Sequence, residues 1–143
     1  RIFAYPYEGY LAKIDSVQSF FKYNMELLDA DNREDLFYHC GSIYTKVKDE
    51  VPAKYGTHCK VSNSMIADGC IVEGEIENCM LFRGVRIAKG AVVKNSIVMQ
   101  NTQIQENAYL ENAIMDKDVV IRRGRRLIGQ ENYPVVIGKR AII

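Results

Sequence analysis

The sequence predicts a mainly β chain, a parallel β-helix preceded by a short strand–helix segment. Three observations predict it. From Val61 to Gly124, the residues Ile66, Val72, Ile76, Leu81, Ile87, Val93, Met99, Ile104, Leu110 and Ile121 recur on a beat of mostly six, trimmed to five or four where a corner is cut. Two residues ahead of most of these anchors stands a second small or apolar residue: Cys70, Cys79, Val85, Ala91, Ile97, Ala108 and Val119. Residues two apart on a strand share a side, so each pair reads as one short inward-facing strand. Asn or Gly then follows most anchors at Asn63, Gly69, Gly74, Asn78, Gly84, Gly90, Asn95, Asn101, Asn107, Asn112 and Gly124. These residues accept the positive φ that a sharp corner requires. Strand and corner without an intervening helix describe a solenoid whose coils close after three hexads. Anchors about 18 residues apart should therefore stack, as Leu81 over Met99 would.

The remaining elements follow in order. Residues 1–14 read as a strand or extended segment interrupted by Pro6 and Gly9. Asp15-Ser16 supplies a helix N-cap, and Val17, Phe20, Phe21, Met25 and Leu28 give about four turns of amphipathic helix. The polar run Asp29 to Asp35 ends that helix. Residues 36–51 form a linker, and 52–143 form the β-helix, with Pro134 to Gly138 as one more strand near the terminus.

Composition excludes several classes. A formal net charge of +1 gives no electrostatic case for nucleic acid or a membrane surface. No apolar run approaches the ~20 residues that span a bilayer, and no signal peptide opens the chain. Cys40, Cys59, Cys70 and Cys79 lack metal-binding spacing. They read as free thiols of a cytoplasmic protein, two of them on inward positions. The chain opens at Arg1, inside an ordinary fold segment, and reads as part of something longer.

GYLAKIDSVQSFFKYNMELL, residues 9–28, resembles the end of the nucleotidyltransferase domain of the ADP-glucose pyrophosphorylase (glucose-1-phosphate adenylyltransferase) family. The usual family form there is Gly-Tyr-Trp-x-Asp-[Ile/Val]-Gly-Thr followed by a helix. The hexads are similar to the family's C-terminal β-helix, most of all in ENAIMDKDVVIRRG, residues 111–124. The resemblance implies left-handed winding of the hexapeptide repeats and makes residues 1–35 the tail of a nucleotidyltransferase domain. It also aligns Lys13 with the carboxylate that holds the catalytic Mg²⁺. An ammonium group there repels a divalent ion, so the resemblance implies the GlgD-type regulatory, catalytically impaired kind of subunit in glycogen biosynthesis. No cofactor is then expected in this chain, and Mg²⁺ belongs to a catalytic partner subunit.

Lys117 matches a lysine that some family members use for an anionic activator; the alternative is a solvated corner lysine. Arg122 and Arg123 follow at once, with Arg125, Arg126, Lys139 and Arg140 nearby, a set suited to a sugar-phosphate effector. The residues just before the anchors point outward. On one face these are Met65, Met80, Val98 and Met115, an apolar stripe expected to be covered by the N-terminal segment, an upstream domain or a partner subunit. Asp116, at an anchor position, marks a place where that register can slip. Two other readings stand beside this one. A hexapeptide-repeat acyltransferase would need a histidine base, and only His39 and His58 are present, with His58 read as a packing residue of the first coil. A purely structural assembly module would need no ligand.

Overall fold

The computed structural model describes residues 1–39, 41–45 and 47–143; Cys40, one of the four cysteines, lies outside the described residues. From Lys54 onward the chain is a parallel β-solenoid of triangular section. Its first face stacks Lys54–Tyr55, Ile71–Val72, Arg86–Ile87, Gln103–Ile104 and Val120–Ile121 in one ladder. The second stacks Lys60–Ser62, residues 75–77, residues 92–94, Tyr109–Glu111 and Arg126–Ile128. The third stacks Met65–Ile66, residues 79–81, residues 96–98, Ala113–Met115 and Val135–Ile137.

Each corner turns on backbone that only certain residues accept. Asn63, Asn78, Asn95 and Asn112 form one column with φ of 37, 50, 43 and 51°. Gly69, Gly84, Asn101, Asp118 and Arg140 form another, and Gly90, Asn107 and Gly124 a third. Ten of the eleven corner residues expected from sequence adopt positive φ. Gly74 does not, and its reason is space: a Cβ there would lie 2.3 Å from the carbonyl oxygen of Ala91.

Inside the prism, Val72, Ile76, Ile87, Val93, Ile104, Leu110 and Ile121 are all buried, as the beat requires. The stacking interval differs from 18. Val72 pairs with Ile87 and Ile66 with Leu81, 15 residues on, whereas Tyr55 below pairs with Val72 after 17. Leu81 pairs with Val98, and Val98 with Met115, so the middle coils take 17. Met115 pairs with Ile137, because the last coil carries a five-residue excursion after Gly129. Leu81 therefore stacks on Val98, not Met99, and Val98 and Met115 point into the core at 0% exposure. Ser96 and Thr102, the residues two before Val98 and Ile104, are buried polar groups with partners. Ser96 Oγ donates to the Lys94 carbonyl (2.6 Å) and accepts from Ala113 N–H (3.1 Å), while Thr102 Oγ1 donates to the Asp116 carbonyl (2.9 Å).

Ahead of the solenoid, residues 1–14 run without strand pairing, and the helix α1 spans Val17–Glu26. Ser16 caps it in a reciprocal box with Ser19. It is shorter than the expected four turns because Asp29 starts a separate short helix, α2 (Ala30–Glu34), by accepting from Asp31 and Asn32 N–H. A single π-type turn, Asp35–His39, follows. Asp35 also accepts a 2.6 Å bond from Tyr10 N–H, and Tyr10 OH donates to Glu26 Oε2. Those two bonds tie the extended start to the helices.

Candidate functional site

The third face has two columns of side chains, one inward and one outward. The outward column is Met65, Met80, Ile97 and Ile114, since Met65 pairs with Met80, Met80 with Ile97 and Ile97 with Ile114. Of the stripe expected from sequence, Met65 and Met80 hold their places. Val98 and Met115 are replaced by their preceding neighbours, because coils of 17 rather than 18 residues shift the register by one. The column is not open to water. Phe21 of α1 packs on Met80, Ile97 and Ile114, with Phe20 and Met25 beside it, and Ile97 is 0% exposed. The chain's own helix is therefore the cover. The column continues into Val136, paired with Ile114, which stands clear of the buried cluster and is half exposed.

The cationic residues sit on two different corners. Lys117 is exposed, its N–H bound to Asp116 Oδ1 (2.7 Å) and its carbonyl accepting from Arg140 N–H (3.0 Å). Arg122 and Arg123 lie at the far end of the strand Val120–Ile121. Arg123 is engaged by Glu106, with Nε 3.3 Å from Oε2; a backbone hydrogen bond first, and this guanidinium second, hold the Glu106 carboxyl below its ordinary range. The Arg122 N–H bonds the Ile143 carbonyl, and its guanidinium has no partner among the described residues. Lys117 lies in the turn at one corner and Arg123 in the turn at the next, with the strand Val120–Ile121 between them. The fold thus groups Lys117 with Lys139 and Arg140, and Arg123 with Glu106, but does not bring the two groups together.

Lys13 is exposed and its ammonium lies 3.2 Å from Asp15 Oδ2. Asp15 is thus already ion-paired, and among the described residues no group of three His, Cys, Asp or Glu is placed to hold a metal ion. Lys13 itself offers a metal ion an ammonium group rather than a carboxylate, and beside it Asp15 is a single donor. Lys13 and Asp15 stand instead on the rim of an open groove, about 1240 Å³, between α1 and the asparagine corner.

Neither histidine approaches the solenoid interior. His58 is exposed rather than packed, because residues 57–58 form the turn between the first two strands. His39 faces Glu34 and Asp35 at 3.9 and 3.8 Å. Burial raises the thiol pKa of Cys70, and that of Cys79 to about 11. Both are packing groups and poor nucleophiles. No helix among the described residues is long and apolar enough to cross a membrane.

Comparison with known proteins places these features in a family context. Residues 49–133 match the family described as GlmU-like, C-terminal hexapeptide. The chain is 50% identical over 135 residues, 94% of its length, to the glycogen biosynthesis protein GlgD of Bacillus subtilis strain 168. It is 60% identical over 70 residues, 49% of its length, to a GlgD protein of Geobacillus stearothermophilus. Over 94 residues, 66% of its length, it is 46% identical to a glucose-1-phosphate adenylyltransferase of the same organism. The matched stretches span 39%, 20% and 24% of those relatives' own lengths.

Proposed function

The chain belongs to the GlmU-like C-terminal hexapeptide family, and from that premise we propose that it is the C-terminal part of a regulatory, catalytically impaired glucose-1-phosphate adenylyltransferase subunit that serves glycogen synthesis. The observation that carries the reading is the 50% identity to a GlgD protein across 94% of the chain, joined to Lys13 at the position where the resemblance calls for a metal-binding carboxylate. The Lys13–Asp15 ion pair supports impairment, since a divalent ion would have to displace an ammonium group already in contact. The Mg²⁺-dependent chemistry stays with a catalytic partner subunit. This subunit assembles with that partner and tunes it.

Two features support a place for each task. Lys117, with Lys139 and Arg140 on the next coil, offers cationic hydrogen-bond donors to a sugar-phosphate effector. Arg122 and Arg123 offer a second, separate anchor on the same face. Assembly falls to the terminal coil, where Val136 carries the apolar column beyond α1 and Ile128 and Tyr133 of the same coil are also exposed. The test is to purify the full-length protein bearing this sequence, with and without a catalytic adenylyltransferase subunit. The expected result is no ADP-glucose formation alone, and altered effector response of the catalytic subunit in the complex. Turnover by the isolated protein, or failure of the two to co-sediment, overturns the proposal.

A further inference from the structure

We propose that the groove between α1 and the asparagine corner binds a neutral oligosaccharide. The observation behind it is a break in an otherwise regular column. Asn63 Nδ2 donates to Asn78 Oδ1 at 2.7 Å, and Asn78 Nδ2 donates to Asn95 Oδ1 at 3.1 Å. At the upper end Asn112 Nδ2 donates to the Gly129 carbonyl at 3.1 Å. The rung between Asn95 and Asn112 is unmade, although their coils stack like the others. Among the described residues the Asn95 amide N–H₂ and the Asn112 amide oxygen have no protein partner. Both of these residues line the groove.

The chemistry of the walls selects the ligand. An amide donor and an amide acceptor one coil apart, ~4.8 Å, suit adjacent hydroxyls, each of which both donates and accepts. Tyr23 and Met25, both half-buried, line the groove beside the buried Phe21 and supply an apolar floor on which the C–H face of a sugar ring can lie. The charges argue against a phosphorylated ligand. Both lysines on the wall are already engaged, Lys13 with Asp15 at 3.2 Å and Lys22 with Glu26 at 3.7 Å. Glu111 and Glu131 face the same space, so an added phosphate would meet net negative charge. Glu131 and Asn132 reach the groove only because the last coil carries its five-residue excursion. Asn112 holds the ends of that excursion, through Gly129 and the N–H of Val135. Ligand pockets usually run to roughly 300–1,000 Å³, and this groove has room for more than one sugar ring.

The groove and the Lys117 corner are different sites, so the two proposals fail separately. The experiment is a ¹⁵N-edited titration of the full-length protein bearing this sequence with maltotetraose, and in parallel with glucose 1-phosphate. The expected result is movement of the Asn95 and Asn112 side-chain amides and of the Tyr23 backbone amide with maltotetraose, and none with glucose 1-phosphate. Glu131→Ala and Tyr23→Ala should each weaken that binding at least fivefold without lowering Tm, while Lys117→Ala leaves it unchanged. Silence of the Asn95 and Asn112 amides, or an equal response to glucose 1-phosphate, overturns the proposal.

Discussion

Ile114 and Met115 are adjacent, both apolar and both buried, yet they hold different parts of the molecule together. Met115 lies in the prism core between Val98 and Ile137, whereas Ile114 lies under Phe21 of α1. Truncating either to Ala deletes comparable volume and costs about 2–5 kcal/mol where the site cannot collapse. The cost should land in different places. A ten-residue helix is marginal by itself in water, so α1 stays formed only while its docking energy exceeds its ordering cost. Removing Ile114 subtracts from that docking term alone. If about 2 kcal/mol is lost, hydrogen exchange of the α1 amides should accelerate about 30-fold, at 1.4 kcal/mol per decade. Amides of the core strands, such as those of Val93 and Leu110, should be unaffected. Met115→Ala should lower global stability, raising exchange at Val93 and Leu110 as well as in α1. Matched exchange profiles for the two variants would refute the register and the role given to α1.

Three further outcomes follow from the geometry. Asn78 sits at φ 50° and bonds coils on both sides, so Asn78→Ala should cost roughly 2–3 kcal/mol from the left-handed backbone and the lost rungs; urea midpoints should show Asn78→Gly costing clearly less. Because Lys117 and Arg123 stand at opposite corners of a face, Lys117→Ala and Arg123→Ala should change effector affinity independently, with coupling below about 0.5 kcal/mol in a double-mutant cycle. Burial lifts the Cys79 thiol from 9.0 to about 11, so the folded chain keeps that proton where the unfolded chain has lost it. Stability from this group is complete below pH 9 and declines between pH 9 and 11, by roughly 2–3 kcal/mol. Cys79→Ala should flatten that part of the urea-derived stability profile, and an unchanged slope would show the thiol is not responsible.

The corners and most inward anchors were legible in the sequence because Asn, Gly and aliphatic residues each answer to one local demand. The slip at residues 96–99 has a definite cause. Sequence distinguishes the two sides of a strand by alternation, and alternation vanishes where both sides are buried. Ile97, Val98 and Met99 are apolar in a row because α1 covers the outside of the same strand that lines the inside. Ser96, with its hydroxyl bonded to Lys94 and Ala113, hid an inward position behind a polar side chain. The cationic residues were visible as a run, but a run along the chain is not a cluster in space. A solenoid face separated Lys117 from Arg122 and Arg123. The groove left no local trace, since its walls come from the segment around α1, from two coils and from an excursion whose role depends on what it stands beside.

The coils hold 15, 17 and, with the excursion, 22 residues, yet each advances the ladder by one strand spacing, ~4.8 Å. Height in this molecule counts turns, while chain length sets only girth. Residues gained or lost at a corner bulge outward and leave the columns above and below aligned. A relative with a longer or shorter corner would still present its Lys117 and Val136 equivalents at the same elevation. Contacts made along the axis would thus survive insertions that rewrite the outline of the cross-section.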